Sequence, residues 1–314
     1  DQYHIISEAD ESTVVSAYKP QDKPSTCYQS EAELEQALIR RLEAQGYEYL
    51  PIHTEKDLVA NLRRQIERLN RFAFSDEEWQ AFFAEHIANP NLGIAGKTQM
   101  IQNDHIRAIR LKDGTTKNIY LLDKQTLANN RLQVINQYVP EGGAFDNRYD
   151  VSILVNGLPL VHIELKRRGV ALKEAFNQIN RYERESFWAG SGLYQFAQIF
   201  VISNGTETKY YSNTTRYKHI EKNAYAAQVR SRKVASNSFE FTSYWADREN
   251  RLIPDLVDFT ATFFCRLTLL SILTRYCVLT VDGDLLVMRP YQICATEAIL
   301  RRILVSSNRR EWGT

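Results

Sequence analysis

The 314-residue chain is long enough to bury the core of one large domain or two modest ones. Its composition, 44% hydrophobic and 25% charged, is typical of a globular protein, and no run approaches the ~18–20 apolar residues of a membrane span. The net charge of +1 excludes a general electrostatic attraction to nucleic acid. The four cysteines lack CxxC or Cys/His ligand spacing, which argues against a disulfide framework or zinc site and predicts a cytoplasmic location.

Three helices are predicted after a lead-in over residues 1–28 that shows little periodicity. Ser30 to Glu33 form a capping box, which marks the start of the first helix, and Gly46 marks its end. The helices are defined by apolar residues at helical spacing: Leu34, Leu38 and Leu42, then Leu58, Leu62, Ile66 and Leu69, then Trp79, Phe82, Phe83 and Ile87. Glu31 and Glu35 of the first helix either face the acidic cluster described below or complement the helix dipole.

The stretch between the third helix and residue 140 contains a false motif and two predicted strands. Gly96-Lys97-Thr98 resembles the end of a phosphate-binding loop. The first glycine of that motif would fall at Asn91, and no strand precedes it, so we reject this interpretation. Lys117–Asp123 and Leu132–Tyr138 are predicted to be strands, the second with clean alternation of apolar and polar residues.

Two further β-rich runs flank Asn156-Gly157, a dipeptide that favours the positive φ angles of a hairpin turn. The register of the hairpin decides which side chains share a face, because a one-residue shift turns a whole strand over. A two-residue turn would pair Asp150 with apolar Ile163 and mix both faces. A three-residue connection, Asn156 to Leu158, pairs residues whose numbers sum to 314 and separates an apolar face from a polar one. We therefore predict the three-residue connection.

The predicted register brings Asp150 directly opposite Glu164, with Lys166 two residues along on the same face. Opposed residues have Cβ atoms roughly 4.5–5.5 Å apart, and carboxylates that close repel unless a proton or cation lies between them. Hard oxygen ligands that leave room for water and phosphate suit Mg²⁺. A neighbouring lysine can orient or deprotonate an attacking water and stabilise phosphate charge. The residues thus point to phosphodiester hydrolysis.

Two points about this face stay open at the level of sequence. The competing interpretation of the acidic and basic residues is an ordinary solvated face of a sheet, on which Asp, Glu and Lys are common. His162, opposite Ser152 on the same face, either supports the site or is incidental.

A helix and two strands are predicted after the hairpin. The apolar side of the helix carries Leu172, Phe176 and Ile179. Gln178 and Tyr182, at positions i and i+4, share a neighbouring face of that helix, beside the proposed site. Ile199–Ser203 is predicted to be a buried strand, and Thr208–Tyr211 follows it after a turn. This order of elements predicts an α/β fold with a mixed central sheet flanked by helices.

The last third of the chain offers weaker signals. Between Lys209 and Lys233, seven Lys/Arg residues and one acid are interspersed with tyrosines. This segment is either a phosphate-contacting surface or an exposed loop insertion. Pro254 is predicted to open an apolar helix, and Leu285–Met288 a short strand that precedes a final helix.

The charged residues of the hairpin resemble a known motif. Asp150 with Glu164-Leu165-Lys166 resembles the first acid and the E-x-K of the PD-(D/E)xK nuclease superfamily, and Gln178 to Tyr182 resembles the Q-x-x-x-Y motif of a subset of these enzymes. Three stretches are similar to the restriction and motor subunit (HsdR) of type I restriction-modification enzymes: Asn147–Arg168, Ala175–Tyr182 and Val201–Thr206. The resemblance runs from about Tyr28 to the C-terminus.

This resemblance implies Mg²⁺-dependent cleavage of double-stranded DNA by the N-terminal domain of an ATP-driven translocating subunit. It also implies methyltransferase (HsdM) and specificity (HsdS) subunits as partners. By analogy, Asp150, Glu164 and the Leu165 backbone carbonyl bind the metal, and Lys166 acts on the attacking water. The glutamine and tyrosine of the Q-x-x-x-Y motif support the site or contact DNA.

The resemblance also divides the chain into an endonuclease-like domain over residues 1–250 and, over residues 251–314, a helical linker and the start of a truncated helicase-like motor. Arg289 to Gln292 resemble the entry to that motor, where Gln292 would lie near adenine. No Walker A motif is reached, so we expect a fragment of a longer protein, with ATP bound only by the full-length form. The alternative functions are a non-catalytic docking module that positions DNA and partner subunits, and a metal-dependent RNA or structure-selective nuclease.

Overall fold

The computed structural model describes residues 29–142, 147–214 and 238–311. The helices are α1 (Glu31–Ala44), α2 (Glu55–Asn70), α3 (Asp76–Phe82), α4 (Ile94–Gln102), α5 (Leu172–Glu185), α6 (Leu256–Thr262), α7 (Arg266–Arg275) and α8 (Pro290–Glu311). The strands are β1 (Glu48–Tyr49), β2 (Ile106–Arg110), β3 (Thr116–Tyr120), β4 (Leu132–Tyr138), β5 (Tyr149–Val155), β6 (Leu158–Leu165), β7 (Ile199–Ser203), β8 (Thr208–Ser212), β9 (Cys277–Leu279) and β10 (Leu285–Val287).

Six of these strands form one mixed sheet in the order β1-β4-β5-β6-β7-β8. The β1–β4 and β6–β7 pairs are parallel, and the other neighbours are antiparallel. Strands β2 and β3 form a separate hairpin, as do β9 and β10. The predicted α/β fold with a mixed central sheet and flanking helices is confirmed.

The helix start predicted from the capping box at Ser30 is confirmed as well. Ser30 caps α1 and Ser75 caps α3, each in a capping box with the glutamate three residues later. Gly46 follows α1 with φ +85°, a conformation that favours glycine. The rejected phosphate-binding loop lies within the helix α4, where Lys97 is buried and donates to the Gly192 carbonyl at 2.8 Å.

The turn of the central hairpin differs from the prediction, although the register at the site does not. Asn156 and Gly157 form a two-residue turn, with φ of 50° and 84°, and Val155 pairs with Leu158. The register then shifts between Ile153 and Leu154, since Ile153 pairs with Val161 and Leu154 with Pro159. A β-bulge at Leu160 therefore restores pairs that sum to 314, including Val151/Ile163 and Ser152/His162. The predicted three-residue connection is wrong because the extra residue is inserted in the strand.

Gly157 has no room for a side chain. A Cβ at this position would lie 2.6 Å from the Leu62 Cα, so helix α2 passes directly over the turn. We expect Gly157→Ala to lower the free energy of unfolding by about 2–4 kcal/mol, because it combines a positive φ with a clash against backbone. Urea denaturation measures this. Gly114→Ala is the matched control, since Gly114 has φ +84° and open space around its Cβ position. Equal losses in the two variants would contradict the clash.

The sheet is covered on both faces, which overturns the interpretation of a solvated face. Every residue of β6 is buried, and α1 and α5 both pack on it. Glu164 is 0% exposed. A carboxylate in this position is costly unless it is paired, protonated or bound to a cation, so its presence requires an explanation beyond surface polarity.

The C-terminal helices α6 and α7 extend the core of the sheet. The Tyr47 hydroxyl donates to the Phe264 carbonyl at 2.7 Å, and Gln45 Nε2 donates to the Thr260 carbonyl. Phe259 and Phe263 of this region are buried in the shared core. The domain boundary at residue 250 stays a prediction.

Among the described residues, no single helix has the length and apolar composition needed to cross a membrane. Helices α6 and α7 meet that criterion only when they are taken together, and the pair is bent by 72°.

Candidate active site

The two predicted carboxylates meet at one end of the β5–β6 pair. Asp150 is the second residue of β5, and Glu164 lies near the end of β6, paired with Ile202 of the parallel strand β7. Asp150 Oδ2 accepts a hydrogen bond of 2.9 Å from the Leu165 N–H, which fixes the aspartate against the neighbouring strand. Glu164 is fully buried and Asp150 half-buried, so the pair opens to solvent on the aspartate side.

Lys166 joins the pair as predicted from the spacing. Its Nζ lies 3.3 Å from Glu164 Oε1 and donates to the Leu165 carbonyl at 3.0 Å. The Lys166 backbone N–H donates to the Ser203 carbonyl, so strand β7 holds this residue beyond the end of β6. The lysine therefore faces the carboxylates from a fixed backbone position, with its side chain 11% exposed.

The electrostatics of the site favour protonated carboxyl groups in the absence of a cation. Burial, together with the nearby charge of Glu164, raises the pKa of Asp150 to about 8. Burial likewise raises the pKa of Glu164 to about 8, against the opposing charge of Lys166. Two buried acids with one buried lysine leave a deficit of positive charge, which a cation would neutralise.

The donor atoms present fit a hard cation such as Mg²⁺. Glu164 Oε2 is buried without a hydrogen-bond partner, and it lies in the same site as the Asp150 carboxylate and the Leu165 carbonyl. The described residues contain no group of three or more His, Cys, Asp or Glu side chains suited to a metal. The available set is thus two carboxylates and one carbonyl, which suits Mg²⁺ because Mg²⁺ keeps several waters.

Helix α5 places the predicted Gln178 and Tyr182 beside the carboxylates. Gln178 Nε2 donates to the Tyr182 hydroxyl at 2.5 Å, and that hydroxyl donates to the Arg148 carbonyl at 2.9 Å. Burial raises the pKa of Tyr182, and the charges of Glu164 and Asp150 raise it further. The pair therefore braces the backbone just before Asp150.

Comparison with known proteins places the amino-acid sequence of this chain in a family. Residues 28–219 match the family model described as type I restriction enzyme R protein N terminus (HSDR_N). The chain belongs to the HSDR_N family. It is 46% identical over 307 residues to the type I restriction enzyme EcoprrI endonuclease subunit of Escherichia coli, which covers 98% of this chain and 92% of that protein. The prediction that the chain is related to HsdR is confirmed.

More distant relatives carry similar descriptions. The type I restriction enzyme SsaAORF53P endonuclease subunit of Staphylococcus saprophyticus is 35% identical over 90% of this chain, and the putative MjaIXP endonuclease subunit of Methanocaldococcus jannaschii is 28% identical over 58% of it. The matched region spans only 28% of the staphylococcal protein and 19% of the archaeal one. This HSDR_N chain therefore corresponds to part of the length of those relatives.

Glu31 and Glu35 of α1 are equivalent candidates by helical spacing, but the structure places them in different surroundings. Glu31 Oε2 lies 3.9 Å from Lys166 Nζ, and Glu31 Oε1 accepts a hydrogen bond from the Arg167 N–H. Glu35 is buried instead against β4, where it accepts hydrogen bonds from Asn136 and Gln137. Glu31 is thus the acid of α1 that borders the site, and the helical spacing alone gave no means of choosing it.

His162, whose role the sequence leaves open, lies next to Glu164 on the same face of β6. It is 0% exposed, and its Nε2 is 3.5 Å from Glu164 Oε2. Burial lowers the pKa of His162 to about 4. Tyr194, which no sequence signal singled out, closes this region through a hydrogen bond between its hydroxyl and Ser152 Oγ.

The remaining predicted residues lie away from the carboxylates or outside the described residues. Gln292 is exposed in the first turn of α8, where its Oε1 accepts a hydrogen bond from the Arg289 N–H. Its nucleotide contact stays a prediction. Of the basic segment, Lys209 lies over the rings of Phe239 and Tyr244, at 4.5 and 4.6 Å from their centroids, whereas residues 215–233 lie outside the described ranges.

Proposed function

We propose that this chain is the Mg²⁺-dependent endonuclease domain of a type I restriction enzyme R subunit, with a PD-(D/E)xK site that hydrolyses phosphodiesters of double-stranded DNA. The observation that carries the proposal is the buried Glu164, with an unpartnered Oε2, held beside Asp150 and Lys166. The printed names of the relatives, endonuclease subunits of type I restriction enzymes, support the same function.

Asp150, Glu164 and the Leu165 carbonyl would hold Mg²⁺. When bound, the ion supplies Lewis-acid stabilisation of the charge that develops on the phosphate. The carboxylates must lose their protons to bind it, because their pKa values lie near 8 in its absence. Both carboxyl groups would therefore have to release their protons for the ion to be held.

Lys166 is the residue that acts on the nucleophile. Two of its three N–H donors are directed at Glu164 Oε1 and the Leu165 carbonyl, and the third remains for a water or a phosphate oxygen. The ammonium group of Lys166, held at this position, would orient the attacking water and stabilise negative charge on the phosphate. Its fixed geometry lowers the reorganisation that the reaction requires.

The Gln178–Tyr182 pair supports the site through the backbone of Arg148. We expect Tyr182→Phe to reduce DNA cleavage about 10-fold and to lower the free energy of unfolding by about 1 kcal/mol. The substitution removes the hydroxyl and with it the hydrogen bonds to Gln178 and to the Arg148 carbonyl. Tyr47→Phe is the matched control, since it removes a buried hydroxyl bonded to the Phe264 carbonyl away from the site. Equal cleavage by the two variants would show that the hydroxyl of Tyr182 has no role in the site.

In the assembled enzyme, DNA would be delivered to this domain by the ATP-driven motor of the full-length R subunit, with HsdM and HsdS as partner subunits. Sequence specificity would reside in those partners. A cytoplasmic location fits this assembly.

The substrate class is tested by competition. The assembled enzyme is incubated with labelled duplex DNA and with duplex RNA of the same sequence, with Mg²⁺ or with EDTA. We expect cleavage of DNA only, and only with Mg²⁺. Cleavage of RNA at a comparable rate would favour the alternative nuclease, and cleavage that persists in EDTA would exclude the metal-dependent mechanism.

A further inference from the structure

The two unpartnered atoms at the base of the site face each other. His162 Nε2 and Glu164 Oε2 are both buried, neither has a hydrogen-bond partner among the described residues, and they lie 3.5 Å apart. These residues are two apart on β6, so their side chains stand on the same face of the sheet. A buried histidine that faced the carboxylate with a lone pair would add repulsion to a site already rich in negative charge.

The hydrogen bonds on the other side of the ring determine which nitrogen carries the proton. Ser152 Oγ lies 3.3 Å from His162 Nδ1 and 3.0 Å from the Tyr194 hydroxyl. In one arrangement Tyr194 donates to Ser152, Ser152 donates to Nδ1, and the ring proton is on Nε2. In the other arrangement Nδ1 donates to Ser152 and Ser152 donates to Tyr194, which leaves the Tyr194 proton without an acceptor among the residues that the structure describes. The first arrangement uses every proton, so it is favoured in a buried site.

The packing around the imidazole holds it in place. The rings of Tyr149, Tyr182, Phe187 and Tyr194 surround it, with centroids 5.4, 6.0, 5.7 and 6.2 Å away. All four are buried. A phenyl or leucine side chain would fill this space without the cost of burying a polar ring, so the presence of histidine indicates a use for its N–H.

We propose that His162 is a positioning residue, which donates its Nε2 proton to Glu164 Oε2 and so fixes the carboxylate for the cation. The inference deepens the proposed function and rests on it. Lys166 holds Oε1 from the solvent side and His162 holds Oε2 from the core side, so the carboxylate plane is fixed from both sides. Partners that orient a ligand in this way typically change metal affinity 10–100-fold.

The tautomer is tested directly by nitrogen-15 NMR of the imidazoles in the metal-free protein at about pH 9, above the pKa of about 8 at which Glu164 loses its proton. The signals of His162, one of six histidines, are assigned by their loss in His162→Gln. We expect the Nε2–H tautomer. A predominant Nδ1–H tautomer overturns the proposal, whatever metal binding shows.

The functional consequence is tested with a matched pair of variants. The amide of His162→Gln reaches the position of Nε2 and keeps a donor to Glu164, whereas the amide of His162→Asn reaches only the position of Nδ1, near Ser152. In Mn²⁺ titrations of this chain with a duplex oligonucleotide, we expect His162→Asn to weaken Mn²⁺ binding about 10-fold or more and His162→Gln to retain most of it. Equal affinities in the two folded variants overturn the positioning role.

The proposed function can fail separately. If Asp150→Asn binds Mn²⁺ as the unsubstituted chain does, the metal site is wrong, while the tautomer still reports whether His162 donates to Glu164. If neither His162 variant folds, the His162 signals are assigned in the unsubstituted chain through their contacts with the rings of Tyr149 and Tyr194, and the tautomer decides alone.

Discussion

Glu164→Gln is expected to reduce cleavage of duplex DNA by the assembled enzyme at least about 100-fold, because it removes a charge that is proposed to act at the reacting phosphate or its metal. Glutamine preserves the size and most of the hydrogen bonds of Glu164, and it suits a buried position better than the charged residue does. Lys166→Ala should cause a loss of similar size, since it removes the group that orients the nucleophile. Nicking and double-strand cleavage of a plasmid that carries the enzyme's site measure both effects.

Two exposed residues provide matched controls for these substitutions. Glu43→Gln on α1 and Lys56→Ala on α2 repeat the same chemical changes on the surface and should leave cleavage unchanged. DNA binding should persist in all four variants, because phosphate contacts at other positions supply most of the affinity. Normal cleavage by Glu164→Gln would refute the assignment of the site and favour a docking module.

The second large effect concerns the pH dependence of stability in the metal-free chain. The pKa values of Asp150 and Glu164 rise from their ordinary values near 4 to about 8 on folding. Between about pH 4 and pH 8 these two carboxyl groups are ionised in the unfolded chain and protonated in the folded chain. The stabilising contribution is therefore complete below about pH 4 and is lost as the pH rises through about 8. We therefore expect the free energy of unfolding of the metal-free chain to fall steadily as the pH rises from about 4 to about 8.

Urea denaturation from pH 5 to pH 9 in EDTA measures this dependence. The double variant Asp150→Asn/Glu164→Gln cancels the contributions of other titrating groups, so the difference between the two proteins isolates the pair. The double variant should be less sensitive to pH and more stable at pH 9. Added Mg²⁺ should stabilise only the unsubstituted chain, and more strongly as the pH rises, because binding releases protons. A difference in the free energy of unfolding between the two proteins that does not change with pH would contradict the raised pKa values of the carboxyl pair.

The sequence predicted which side chains come together at the end of the β5–β6 pair better than it predicted the backbone that positions them. The alternation of polar and apolar residues favours the pairing of Val151 with Ile163, since a one-residue shift would mix the apolar and polar faces. The bulge at Leu160 was not predictable, because Asn156-Gly157 is compatible with two connection lengths. The close approach of helix α2, which leaves no room for a side chain at Gly157, is visible only in the folded structure.

Tertiary contacts also account for what sequence reasoning missed. Glu31 and Glu35 are four residues apart on one helix, and only the packing of α1 on the sheet brings Glu31 to Lys166. His162 was identified as a neighbour of the site from the register, but its burial depends on Tyr194, which lies outside any motif. The electrostatic character of the site comes from its burial, which a pattern of alternating residues does not specify.

The most direct test is a calorimetric titration of this chain with Mg²⁺ or Mn²⁺, with and without a duplex oligonucleotide, in parallel with Asp150→Asn. The account predicts saturable binding, accompanied by proton release near pH 7, that is lost in the variant. Binding that survives in Asp150→Asn, or no binding by either protein even with the oligonucleotide, would contradict the claim that the buried carboxylate pair is a metal-dependent nuclease site.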